Sequence, residues 1–108
     1  MREWRLKLDK QGVDKWRYEE LKAICRQYPQ MMRSKDAGAK ARKQLIDQAA
    51  RDTDGGRWEV AIIKNVCHGR RYEHLAAEDL WSSSRNAYFA ARREFFARLD
   101  AALREHGD

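Results

Sequence analysis

Residues 83 to 93 hold the side chains with the clearest capacity for chemistry in this sequence. Arginine and asparagine each form paired hydrogen bonds with a base edge in the major groove of DNA, arginine with guanine and asparagine with adenine. Arg85 and Asn86 stand side by side after three serines, whose side chains are small and polar. We therefore predict a set of DNA-contacting residues. Those at the start of the stretch would read bases, and the later arginines would bind phosphates. The set is Ser83, Ser84, Arg85, Asn86, Phe89, Arg92 and Arg93.

A long helix is needed to carry these residues. The spacing of apolar residues predicts one from about Arg85 to Glu105, with an inner face formed by Tyr88, Phe95, Leu99 and Ala102. Phe89 lies one position off that face. Three roles stay open for it: closing the scaffold, burial in a dimer, or contact with a thymine methyl group.

Two predicted helices precede the long one. Trp58, Ile62 and Val66 recur every fourth residue, and Gly69 follows where a helix end favours a positive φ. A short helix over about 71–80 comes next, and the serines at 82–84 interrupt its pattern. A supporting helix, a short helix, a polar turn and a longer helix form the order of a helix-turn-helix with its scaffold helix in front.

The first half of the chain predicts further helices. Asp14 can cap a helix that ends or bends at Pro29. A second helix is predicted over about 30–51, where five Lys and Arg residues lie between Arg33 and Lys43. Residues 1–10 show no helical period and are expected to form an extended arm. The apolar residues of the first helix fall on or near one face, and they are Trp16, Leu21, Ile24, Cys25 and Tyr28.

Length and composition set the class of protein. The 108 residues suffice for one domain, and 43% hydrophobic residues can fill one small core. With six glycines and one proline, we predict an all-α fold: a small helical domain of about five helices that ends in a helix-turn-helix with a long recognition helix. Its parts are a basic helical segment at 1–54, with the arm, and a helix-turn-helix half at 55–108, together forming one compact domain.

Charge and cysteine content point to the partner and the setting. Lys and Arg number 23 against 17 Asp and Glu, so the net charge is +6 and a polyanion is the first partner to consider. No run of 18 apolar residues occurs, which excludes a membrane span. Two cysteines make no disulfide framework, so we expect a reduced, cytoplasmic setting.

Catalysis and metal binding find little support. The sequence contains no G-x-S-x-G, no phosphate-binding glycine loop and no H-E-x-x-H, so we expect no enzyme and no cofactor. Cys67 and His68, with Cys25 and His74, suggest zinc, but there is no C-x-x-C and the spacing suits no common structural site. Cys67 continues an apolar helix face, and we predict that it is a core residue and that the chain has no metal site.

The stretch from Tyr72 to Leu103 resembles the C-terminal half of the ArpU/RinA-type phage transcription activators. That family has a short helix followed by a signature close to I-S-R-R-T-F-Y-R-R-R-R-E-F-F. Ser84 and Arg85 match the start of the signature, and Tyr88-Phe89 stands at its aromatic pair. The end of the signature is matched by Arg92-Arg93-Glu94-Phe95-Phe96. Upstream, L-K-A-I-C-R-Q-Y-P-Q at 21–30 is similar to the family's first helix.

The resemblance implies a helix-turn-helix similar to that of sigma-factor region 4, and a role in activating late phage operons such as packaging genes. The chain departs from the signature in several places. Ser83 replaces an apolar residue, Asn86 replaces an arginine, and Ala87 replaces a threonine. Ala90-Ala91 interrupts the arginine run and removes two phosphate contacts that the family's pattern would supply.

We accordingly expect a sequence-specific DNA-binding transcription regulator of phage or prophage type, with double-stranded DNA as its partner. RNA polymerase as a second partner, a homodimer, and activation versus repression stay open. One alternative is a small terminase-like subunit for DNA packaging, which a ring-sized mass in solution would favour. Another is a helical adaptor that binds RNA polymerase or another protein. DNA binding no tighter than that of a random basic protein, measured with its salt dependence, would favour it.

Overall fold

A computed structural model of the chain describes residues 13–71 and 85–106. These residues form helices joined by short turns, and no strand occurs among them. The all-α class is therefore confirmed for the described residues. The expected arm at 1–10, nearly all of the short helix expected over 71–80, and the serine turn with Ser83 and Ser84 lie outside them.

The helices follow one another with little intervening chain. We number them α1 to α5, and α4 consists of an α-helical turn that continues as a π-helical segment. A 3₁₀ turn, Thr53–Gly56, precedes α4. The bounds are α1 Lys15–Arg26, α2 Tyr28–Arg33, α3 Ala37–Asp52, α4 Glu59–Ile62 with Ile63–Cys67, and α5 Arg85–Glu105.

Side-chain caps and a proline set the limits of the first three helices. The Asp14 carboxylate accepts a hydrogen bond from the backbone N–H of Arg17 at 2.8 Å, which confirms the predicted cap of α1. Pro29 lies in the first turn of α2, where its missing N–H costs no hydrogen bond. Asp36 caps α3 by accepting from the N–H of Ala39 at 2.9 Å. The predicted helix over 30–51 is thus two helices, divided at Ser34–Asp36.

The buried face of α1 differs from the predicted one at Trp16. This side chain is 76% exposed, whereas Tyr18, Leu21 and Cys25 are buried. Trp16 lies two positions before Tyr18, about 200° around the axis at 100° per residue, so it must face away when Tyr18 faces inward. The prediction that Trp16 contributes to the core face was wrong because Tyr18 takes that place.

A tight reversal joins α3 to α4. Asp54, Gly55 and Gly56 have φ values of 47°, 65° and 88°. A Cβ atom added at Gly56 would lie 3.1 Å from the backbone oxygen of Arg51, so the close approach needs a glycine there. Trp58 then enters the core, and its indole N–H donates to the Asp54 carboxylate at 2.9 Å. This bond fixes the start of α4 against the end of α3.

One core draws on both halves of the chain. The long helix α5 has the predicted bounds and packs against α1 and α3. Its buried side chains include Tyr88, Phe95 and Leu99 of the predicted stripe, whereas Ala102 is only half-buried and Phe96 and Leu103 are fully buried. In α4, the predicted line of Trp58, Ile62 and Val66 is buried as well. Within residues 13–71 and 85–106, no helix combines the length and the apolar character needed to cross a bilayer.

Candidate nucleic-acid interface

The first turn of α5 presents two of the predicted base-reading side chains to solvent. Arg85 and Asn86 are exposed, while Tyr88 in the same turn is buried. No acidic residue lies in this turn. The start of α5 therefore offers hydrogen-bond donors and positive charge on a backbone held by the core.

Arginine and phenylalanine alternate along one side of α5, and we call this row the cation–aromatic ladder: Arg85, Phe89, Arg92 and Phe96. The guanidinium carbon of Arg85 lies 5.2 Å from the ring centre of Phe89. That of Arg92 lies 6.0 Å from the ring centre of Phe89 and 5.2 Å from that of Phe96. Spacings of four, three and four residues put all four side chains on one side of a helix. The ladder holds Arg85 close to the body of the helix.

Phe89 is half-buried and packs against the core. Of the three roles left open for it, this position favours closing the scaffold. Its ring also contacts the guanidinium groups of Arg85 and Arg92, so it packs between the core and these two arginine side chains. Attraction between an arginine and an aromatic face contributes about 0.5–1 kcal/mol at exposed sites.

The two arginines predicted to bind phosphates have different surroundings. Arg92 is half-buried, and its Nη1 donates to the hydroxyl of Tyr18 at 3.1 Å. Arg92 thereby connects α5 to α1. Arg93 is half-buried, like Arg92, but no hydrogen bond or ion pair among the described residues involves it. Arg93 is thus the better placed of the two for an outside anion.

A hydrogen-bonded relay joins the end of α4 to the start of α5. The Tyr88 hydroxyl donates to Oδ1 of Asn65 at 2.6 Å, and Nδ2 of Asn65 donates to the backbone oxygen of Arg70 at 2.7 Å. The backbone N–H of Arg70 donates in turn to the oxygen of Lys64 at 3.0 Å. Burial raises the pKa of Tyr88 above its ordinary value, against the opposing charge of Arg92, so its hydroxyl stays a donor.

Sequence reasoning did not identify Asn65 as a functional candidate. It is an amide within the π-helical segment of α4, among apolar neighbours, and that contrast is the only signal in the sequence. Gly69, with φ of 72°, ends this helix as predicted. The relay therefore fixes the chain at Arg70 relative to Tyr88, on either side of the span 72–84.

The basic segment from Arg33 to Lys43 does not act as one group. Arg33, Lys35 and Lys40 are exposed. Lys43 is held by the Asp47 carboxylate at 2.7 Å, and Asp47 also accepts a hydrogen bond from the Tyr28 hydroxyl at 2.6 Å. Arg42 lines a groove of about 390 Å³ between α2 and α3, whose lining residues are Gln27, Gln30, Met31, Ser34, Asp36, Gly38, Ala39 and Arg42.

The residues considered for zinc have a different arrangement. Cys25 and Cys67 are both buried, which confirms Cys67 as a core residue. The ring of His68 packs edge-on against Tyr28, with 5.7 Å between the ring centres. Over the parts of the chain that the structure describes, no three His, Cys, Asp or Glu side chains converge as a metal site would require. His74 lies outside those residues.

Comparison of the chain with known protein families, with curated proteins and with solved structures found no match. The resemblance to the ArpU/RinA-type activators therefore stays a prediction, and so do the helix-turn-helix and its function. The geometry of the described residues is the basis on which a function can be argued.

Proposed function

We propose that this chain binds double-stranded DNA as a sequence-specific transcription regulator of phage or prophage type. The observation that carries the proposal is the first turn of α5, where exposed Arg85 and Asn86 extend from a helix whose other side is buried. The phage setting and a helix-turn-helix spanning the serine turn rest on the resemblance of the sequence.

Rigid presentation supports a base-reading role for this turn. The buried side of α5 includes Tyr88, Phe95 and Leu99, so the helix cannot rotate without breaking the core. The contact between Arg85 and Phe89 limits the side-chain freedom of the arginine before any ligand binds. A side chain that is already ordered loses less entropy on binding. Arg85 can then donate two hydrogen bonds to guanine, and Asn86 can pair with adenine beside it.

Phosphate contacts would come from residues around that turn. Arg93, two turns along α5, is free of ion pairs within the described part of the chain. Arg92 serves the scaffold through Tyr18 and the ladder, so we assign it a supporting role toward DNA. The net charge of +6 adds sequence-independent attraction, which strengthens encounter without choosing a sequence.

Binding to a selected DNA site tests the proposal. Arg85→Ala and Asn86→Ala should each weaken binding to the selected site by about 1–3 kcal/mol, because each removes a paired contact with one base. Arg104→Ala is the control, since it removes the same charge as Arg85→Ala about 28 Å farther along α5 at 1.5 Å per residue. Thermal unfolding of each variant should accompany the binding curves, because Arg104 is bonded to Asp100.

The pattern of losses decides the outcome. If both variants at the start of α5 bind like the unmodified chain, this turn is not the reading element. If Arg104→Ala weakens binding as much as Arg85→Ala, charge alone explains the affinity and the proposal of sequence reading fails. In each of the two variants, the preference for the selected base over other bases should fall only at the base pair that the removed side chain contacts.

One observation favours a second candidate, a helical adaptor that binds RNA polymerase or another protein. Trp16 is 76% exposed on α1, with the Lys15 ammonium 5.7 Å from its ring centre. Exposed tryptophans are frequent among the residues that dominate protein–protein binding energy. Trp16→Ala should weaken capture of purified polymerase and leave DNA affinity unchanged if the adaptor is correct. If Arg85→Ala weakens DNA binding and Trp16→Ala leaves polymerase capture unchanged, the DNA regulator is supported.

A further inference from the structure

One side of α1 faces solvent along the whole length of the helix. Trp16 is 76% exposed there, more than any other large apolar side chain that the structure describes. Burying this ring against a partner would remove a large apolar area from water, so this side of α1 favours a protein partner. Its exposed residues, which we call the α1 face, are Lys15, Trp16, Glu19, Glu20, Ala23 and Arg26.

Opposite charges lie two turns apart on one edge of the α1 face. Glu19 and Arg26 are seven residues apart, so they lie within about 20° of each other around the axis and about 10.5 Å apart along it. The Glu19 carboxylate lies 3.2 Å from the Lys22 ammonium and is half exposed. Arg26 makes no side-chain hydrogen bond or ion pair with any residue that the structure describes. Both groups can therefore pair with a surface that carries the same two charges in reverse order.

We propose that the α1 face binds the α1 face of a second copy of this chain, with the two helices antiparallel. A two-fold axis makes each copy contact the other through the same patch, so in an antiparallel pair the residues of one edge meet those of the same edge. When the helices cross between Lys22 and Ala23, Glu19 of each copy lies opposite Arg26 of the other. The dimer then has two equivalent ion pairs. This inference does not depend on DNA binding.

The order of the residues on the α1 face selects this register. A parallel pair would place Glu19 opposite Glu19, and an antiparallel pair that crosses between Glu19 and Glu20 would bring four carboxylates together. Like charges in contact oppose both arrangements. At the proposed crossing, the small side chain of Ala23 lets the two helices approach closely. Trp16 lies one turn before Glu19, so its ring reaches the guanidinium of Arg26 on the second copy, where a cation–aromatic contact adds to the ion pair.

The size of the α1 face determines how strong the dimer is. The helix has 12 residues, so the face is about 18 Å long at 1.5 Å per residue. A contact of that length belongs to the small interfaces, below about 1,200 Å² of total buried surface, which form transient complexes. We therefore expect monomers and dimers in exchange, with the dimer favoured at high protein concentration.

Sedimentation equilibrium of the full chain over a wide range of concentrations tests the proposal. The mean mass should rise from one chain toward two. Glu19→Arg and Arg26→Glu should each raise the dissociation constant at least about tenfold, because each places like charges opposite each other. The double variant E19R/R26E should recover the affinity, since it rebuilds both pairs with the charges exchanged and leaves the net charge unchanged. Arg33→Glu is the matched control, because it makes the same charge change as Arg26→Glu at an exposed residue of α2.

The comparison of single and double variants decides the outcome. A mean mass of one chain at every concentration would overturn the proposal, and so would a double variant that dimerises no better than the single ones. A loss for Arg33→Glu as large as for Arg26→Glu would also overturn it, since net charge alone would then govern association. If Trp16→Ala abolishes capture of purified polymerase and leaves dimerisation unchanged, the α1 face belongs to that partner and the proposal fails. All the substituted side chains are exposed, and thermal unfolding of each variant checks that the fold is kept.

Discussion

Asp100 shows how a single carboxylate connects two helices of this protein. It is 7% exposed, and it accepts hydrogen bonds from Nε of Arg17 in α1 at 2.5 Å and from Nε of Arg104 in α5 at 3.0 Å. Arg17 is itself mostly buried. Removing the carboxylate would leave this mostly buried guanidinium with only the exposed Glu20 carboxylate, 3.8 Å from Nη1, as a counter-charge, so most of its desolvation cost would stay uncompensated.

We predict that Asp100→Ala lowers the free energy of unfolding by about 3–5 kcal/mol, the loss expected when one partner of a buried ion pair is removed. The control is Glu19→Ala, because Glu19 pairs with Lys22 at 3.2 Å within α1 on its exposed side. An exposed pair contributes about 0–1 kcal/mol. Urea unfolding of the three proteins measures both values, and equal losses would show that Asp100 is not the connection between the helices.

The Tyr88 hydroxyl makes stability depend on pH in the alkaline range. Burial raises the pKa of Tyr88 in the folded chain, whereas the unfolded residue ionises near about 10. The unfolded chain therefore loses this proton first, and folding stability falls as the pH rises above about 10. In Tyr88→Phe the decline should be shallower, by up to about 1.4 kcal/mol per pH unit. Unfolding in urea between neutral and alkaline pH measures the slopes, and identical slopes would contradict the assignment.

At the scale of elements, the hydrogen bonds between the end of α4 and the start of α5 set the orientation of the first turn of α5. Asn65 is the shared partner of Tyr88 and Arg70, and it sits in the irregular part of α4. We predict that Asn65→Ala speeds hydrogen exchange at the amides of Arg70 and of the second turn of α5, which are held by backbone hydrogen bonds. Under the proposed function, the same change should also weaken binding to the selected DNA site.

A comparison variant separates positioning from contact. Asn86→Ala should weaken DNA binding while leaving the exchange rates near Arg70 unchanged, because Asn86 is exposed and takes no part in the relay. Exchange measured by mass spectrometry on both variants gives the contrast. If Asn65→Ala alters neither exchange nor binding, the relay does not position this end of α5.

Local patterns predict the elements better than they predict the contacts. The bounds of α5, the Asp14 cap and the helix end at Gly69 follow from periodicity and from residues with strong local preferences, and all three are confirmed. Trp16 was misplaced because a tyrosine two residues later competes for the same face. The bond from Tyr88 to Asn65 and the pair of Arg17 with Asp100 join residues that are distant in sequence, and no local preference encodes such pairings.

At the scale of the whole molecule, charge and core are distributed differently. The core includes α1, α3, α4 and α5, so the basic first half cannot be separated from the helix that carries Arg85. The excess of positive charge, by contrast, lies mostly in that first half, where Arg33, Lys35 and Lys40 are exposed. Under the proposed function, the exposed bases of the first half would add long-range attraction to DNA, whereas the side chains that read the sequence and Arg93 lie on α5.

The salt dependence of DNA binding tests the phosphate contact proposed for Arg93. Each phosphate contact adds about 0.9 to the slope of log affinity against log salt concentration. We predict that Arg93→Ala lowers the slope by about one contact and weakens all DNA sequences about equally. Asn86→Ala should leave the slope unchanged and reduce selectivity. Titrations at several salt concentrations on selected and unrelated DNA give both quantities, and an unchanged slope for Arg93→Ala would remove that residue from the phosphate set.

The π-helical segment Ile63–Cys67 has a consequence for changes in chain length. Its backbone bonds reach five residues along, as from the His68 N–H to the Ile63 oxygen at 3.2 Å, so the turn holds one residue more than an α-helical turn. Deleting one residue there would restore the ordinary helix and rotate everything after it by about 100°. Cys67 would then leave its buried position, and the bond from Asn65 to the Arg70 oxygen would break. Homologues that lack this extra residue are therefore expected to have lost both features together, whatever else their sequences retain.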